Sequence, residues 1–177
     1  MPDRVNPETF LPATRSVAFK KSVWEEAGYF PEEYSHNEDY VFAKRLNKIN
    51  AKIFFAKDAI AYWIPRSNYK QAFIMFFRFA FGDAEAGIYR PKVFLIFVRY
   101  FLLFLLILFY LLLSSSFILY IICFILILYL VWAIIKNFKY VNNWGALLIL
   151  PSLQIVSDAA VITGTILGLI KCIQIKK

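Results

Sequence analysis

The chain has 177 residues, a net charge of +8 and an apolar fraction of 60%, against roughly 45–50% in soluble domains. That length admits one ordinary domain plus a few membrane spans. The two cysteines share no ligand-type spacing, which argues against a disulfide framework or a cysteine metal site. No basic tract interleaved with stacking aromatics occurs, so nucleic acid is not expected as a partner.

Charge and apolarity divide the chain near Lys92. Residues 1–92 carry 14 Lys/Arg against 11 Asp/Glu, a net of +3, whereas residues 93–177 carry 6 against 1, a net of +5. The first ten residues hold no apolar stretch. This speaks against a cleavable signal peptide and leads us to expect the polar part in the cytoplasm.

In chain order, residues 13–19 (ATRSVAF) read as a short strand, and Lys20 to Ala27 as a short helix closed by Gly28. A loop with Pro31 leads to a second helix from about Asn37, its expected cap, to Lys48, with Val41, Leu46 and Ile49 as the buried stripe. Residues 52–56 (KIFFA) and 59–63 (AIAYW) read as strands, the second ended by Pro65. Ser67 or Asn68 then opens an aromatic amphipathic helix, about 68–88, that carries Arg78 and suits a membrane surface.

Residues 93–113 hold one charge, Arg99, which can reach toward headgroups. At ~1.5 Å per residue this stretch is long enough to cross a hydrocarbon layer. A Ser114-Ser115-Ser116 turn and residues 117–135 complete a helical hairpin. Arg90, Lys92, Lys136 and Lys139 place its ends on the cytoplasmic side. Residues 145–170 are apolar but hold Pro151, Gln154 and Asp158. They read either as a third span or as a re-entrant or interfacial helix. Gly164 and Gly168 would allow close helix packing in either case.

The carboxylates with a chemical reading are Glu38 and Asp39. Two acids at a helix start suit the helix dipole by themselves. In a cleft, one of them could also take the proton of an acceptor hydroxyl. Arg78 offers a planar fork for phosphate oxygens, or simply a contact to lipid phosphate.

The run TRSVAFKKSVWEEAGYFPE, then EDYVFAKRLNKINAKIFFAKDAIAYWIPRS, then FRFAFGD resembles the second half of a glycosyltransferase family 2 catalytic domain of the GT-A type. The resemblance covers roughly residues 12–90 and rests on the order and spacing of these segments. It implies a fold class of α/β, as a partial GT-A domain over 1–92, followed over 93–177 by a transmembrane helical hairpin and a third apolar helix. It implies Asp39 as catalytic base with Glu38 as its partner. Arg78 would lie beside the donor diphosphate, with Arg15 and Asp83 as further substrate-binding residues.

At the family's Gln and Trp positions this chain has Met75 and Phe79. The expected reaction is sugar transfer, with inversion, from a nucleotide-sugar donor to a glycan or lipid-linked acceptor beside membrane lipids. The family's divalent metal (Mg or Mn) is normally held by an Asp-x-Asp motif, and none occurs here. The resemblance therefore implies a donor-binding half supplied elsewhere, for instance by a second polypeptide, with no transfer by this chain alone. The alternative is a non-catalytic membrane anchor or scaffold of transferase descent.

Overall fold

A computed structural model describes residues 17–175 apart from 57, 60, 61, 63, 65 and 142. It divides into two compact units, Met1–Arg66 and Ser67–Lys177.

The first unit holds two helices, α1 (Lys21–Glu26) and α2 (Glu38–Lys48). Helix α1 stops at Gly28, whose φ of +78° is natural only for a residue without a Cβ. The Tyr29 amide then donates to the Trp24 carbonyl. Acids Glu38 and Asp39 open α2, and Arg45 and Lys48 close it, as the helix dipole favours. Asn37 precedes it in the left-handed region, φ +61°, and its side chain does not cap. A capping side chain acts from extended backbone, so the expected cap is lost through conformation.

The small core gathers Ala27, Phe42 and Leu46, with Phe30, Trp24 and Ile49 against it. Phe42 rings meet Phe30 at 4.3 Å and Phe19 at 5.4 Å between centroids. The buried stripe therefore centres on Phe42 rather than on Val41, which is half-buried. Arg45 ties α2 to the turn after α1 by donating to the carbonyls of Gly28 (2.8 Å) and Tyr29 (3.3 Å).

The expectation of an α/β fold is overturned. Among the described residues there are six helices and no strand. Residues 52–56 are irregular, as are the described residues 17–19; residues 13–16 and most of 59–63 lie outside the described set. An extended segment becomes a strand only when a neighbouring backbone takes its N–H and C=O groups. No such ladder forms among the described residues, and Phe54, inside the expected strand, is 91% exposed. Alternating apolar residues signal extension, but they do not supply the partner that makes a sheet.

The second unit is four helices: α3 (Tyr69–Glu85), α4 (Pro91–Leu113), α5 (Ser116–Val141) and α6 (Ala146–Ile175). Asn68 caps α3 by accepting from the Gln71 amide at 2.9 Å, while Gln71 reaches back to the Ser67 amide. Pro91 takes the first position of α4, where its missing N–H does no harm. Helices α4, α5 and α6 are each long and apolar enough to cross a membrane.

Helix α6 continues through Pro151 without interruption, and α3 packs along it. The order of contacts shows that the two run in the same direction. Tyr69 bonds Ser152 at 2.7 Å, Phe77 and Ala80 face Gly164, Phe81 and Ala84 face Gly168, and Glu85 pairs with Lys171 at 2.6 Å. A Cβ on Gly164 would lie 2.5 Å from the Phe77 carbonyl oxygen, and one on Gly168 would lie closer still to that of Phe81. The two glycines permit this backbone approach.

Candidate functional site

In the first unit, Glu38 and Asp39 sit side by side at the start of α2, both half-buried. Asp39 Oδ1 accepts from the amide of Tyr40 at 2.8 Å, a local bond that fixes the side chain against the helix end. His36, in the loop before them, bonds Ser35 at 3.1 Å. Arg15 lies outside the described residues.

In the second unit, Arg78 is exposed on α3 and Asp83 is buried one turn later. Five residues of helix turn these two side chains to different faces. Asp83 faces Arg90, whose Nε and Nη2 donate to its two oxygens as a planar fork, the latter at 2.8 Å. That pair braces the turn from α3 to α4, where Gly87 has φ +66° and the Ile88 amide donates to the Asp83 carbonyl at 2.7 Å. Glu38 and Asp39 are thus together, Arg78 and Asp83 are apart, and the two pairs belong to different compact units.

A second polar cluster was not foreseen as such. Asp158 is fully buried and accepts from four donors: Arg99, Tyr129 Oη (2.5 Å), Tyr100 Oη (3.2 Å) and Gln154 Nε2 (2.9 Å). The Arg99 guanidinium lies over the rings of Tyr129 and Tyr100, 4.7 and 5.3 Å from their centroids. Arg99, expected to reach for headgroups, instead joins α4 to α6. The signal was available, because one cation and one anion standing alone in neighbouring apolar helices are each other's natural partner.

The carboxylates also bear on the metal that the resemblance implies. No cluster of three or more His, Cys, Asp or Glu forms among the described residues. Asp83, Glu85 and Asp158 are each paired with a cation of their own unit. These residues do not fit a divalent ion.

Residues 4–137 match the family described as Glycosyl transferase family group 2. The chain belongs to this family. No curated protein and no solved structure matches the chain. The family match runs from the first unit through α3 and α4 into α5, so the polar segment and the apolar hairpin belong to one family pattern. Helix α6 lies beyond it.

Proposed function

We propose that the protein is a membrane-anchored glycosyltransferase component, moving a sugar from a nucleotide-sugar to an acceptor hydroxyl with inversion, its polar unit on the cytoplasmic side. The observation that carries this reading is the family match over a chain that also holds three apolar helices of membrane-crossing length. Asp39 acts as base. As the acceptor oxygen attacks the sugar carbon, its proton passes to the Asp39 carboxylate. The bond from carbon to diphosphate oxygen breaks, and its electron pair leaves with the diphosphate. Glu38 supports Asp39, and Arg78 neutralises charge gathering on the leaving group. Asp83, held by Arg90, acts by positioning α3.

The test uses the full chain in membranes together with a polypeptide carrying the family's donor-binding half, supplied with nucleotide-sugars and with lipid and glycan acceptors. Asp39→Asn should lower transfer by about 10²–10⁴-fold, the usual worth of a positioned base, while nucleotide-sugar binding persists. Unchanged transfer would remove Asp39 from the mechanism. A second reading, a non-catalytic anchor, is favoured by the lack of any strand among the described residues. It predicts no transfer by the unaltered chain with any acceptor, even when the donor-binding half is supplied.

A further inference from the structure

Helix α6 is long and apolar enough to cross a membrane, but its contacts tie both of its ends to one place. Helices α4 and α5 form a hairpin with a two-residue connection, Ser114-Ser115. Tyr100 and Tyr129 stand fourteen residues to either side of that turn, and both reach Asp158. Equal positions along the two arms are therefore level, and the open end of the hairpin is marked by Pro91 on one arm and Val141 on the other.

Helix α6 begins at Ala146, five residues after Val141. Its far part meets α3 at Gly168–Ala84 and Lys171–Glu85, and Glu85 is six residues before Pro91. At roughly 3.3–3.6 Å per residue neither link can span a hydrocarbon layer of about 30 Å. A groove lined by Val93, Phe94, Thr165 and Leu169 puts the start of α4 directly beside the later turns of α6. Both ends of α6 therefore belong at the open end of the hairpin.

We infer that α6 does not cross the bilayer but lies in one face of it, across the open end of the hairpin, with α3 on its aqueous side. The side-chain pattern fits this placement. Leu148, Ile155, Ile166, Ile170 and Ile173 are exposed and recur at helical spacing on the side of α6 away from Ala160, Gly164 and Gly168, the small residues toward α3. That apolar stripe faces lipid. On α3, Lys70, Gln71 and Arg78 are exposed, and Gln71 and Arg78 lie away from the seam with α6. If α6 crossed, α3 would be carried in beside it over most of its length, and these groups would stand in hydrocarbon, from which charges are strongly excluded. Lying flat, the pair turns them to water. Arg90, Lys92, Lys136, Lys139 and Lys171 then share one face, as cations at a cytoplasmic surface do. This placement does not depend on sugar transfer.

The test is made on the full chain with Cys123→Ser and Cys172→Ser. Trp144→Cys and Gln174→Cys, both at exposed positions near the two ends of α6, are treated with an impermeant maleimide in right-side-out and inverted membrane vesicles. Both should react in the same vesicle orientation and lose reaction in the other. Reaction from opposite sides overturns the inference. As a second measurement, Gln71→Cys and Ile166→Cys are labelled with a fluorophore in phosphatidylcholine–phosphatidylglycerol vesicles. Iodide in the water should quench the label at 71, and a nitroxide high on the lipid chain the label at 166. Quenching at 71 by the lipid nitroxide overturns it as well.

Discussion

The carboxylate of Asp158 gives the sharpest case for a single side chain deciding the behaviour of its surroundings. It is 0% exposed and has four donors, one of them the Arg99 guanidinium that balances its charge. Removing one partner of a buried pair leaves the other charge uncompensated, at a cost of about 3–5 kcal/mol, whereas replacing both by apolar groups is often nearly neutral. Arg99→Leu, which strands the fully buried Asp158, should therefore lower the midpoint of thermal unfolding in detergent sharply, and Asp158→Leu should do so less, because the Arg99 it leaves behind is one-third exposed. The double change should recover most of the loss. If the double variant were worse than Arg99→Leu alone, the ion pair would not be the reason Asp158 is tolerated. Asp39 contrasts with this. Half-buried and, among the described residues, bonded only to the next amide in the chain, it is fixed locally and contributes little to the fold, which suits a residue proposed for chemistry.

At the scale of the helix, the seam between α3 and α6 rests on two missing side chains. At Gly164 and Gly168 a Cβ would press on the backbone of α3 rather than on a movable side-chain tip. Gly164→Ala should destabilise the unit by about 1–3 kcal/mol, the usual cost of overpacking, and Gly164→Val by more. Unfolding monitored by the environment of Trp132 and Trp144, both within this unit, measures it. An unaltered midpoint for both variants would mean that the helices separate without penalty. The helices themselves were legible in the sequence because their ends carry local chemistry: Gly28 after α1, Asn68 before α3, and the serines between α4 and α5. The glycine spacing of α6 likewise pointed to close packing, although not to its partner α3. What could not be read was a backbone conformation or a partner that no local pattern marks. The expected strand at 52–56 lacks a ladder, Asn37 takes a backbone conformation that cancels its capping role, and Asp83 finds Arg90 around a turn. Of the candidate site, the adjacency of Glu38 and Asp39 was written in their numbering. The bracing of Asp83 depends on how the chain turns after Glu85.

For the whole molecule, the division into Met1–Arg66 and Ser67–Lys177 sets a condition on any activity. The proposed base is in the first unit and the proposed diphosphate contact in the second, so turnover needs both, while membrane attachment needs only the second. The segment joining them is irregular where it is described, and Phe54, Tyr62 and Ile64 are 91%, 92% and 93% exposed. Exposed aromatic residues in irregular chain are where chymotrypsin cuts first. Brief digestion of the protein in open membrane fragments should therefore cleave at Phe54 or Tyr62 before any aromatic of α4 or α5, whose rings would be shielded by lipid. After an alkaline wash the later fragment should remain with the membrane and the earlier one should be released. Sugar transfer, wherever the intact chain supports it, should fall in step with cleavage, while the amount of membrane-bound later fragment stays constant. First cuts inside α4 or α5 would show that the hairpin is not shielded by lipid. Transfer that survived complete cleavage and washing would show that Asp39 is dispensable, and the chemistry would have to be sought among the residues of the second unit.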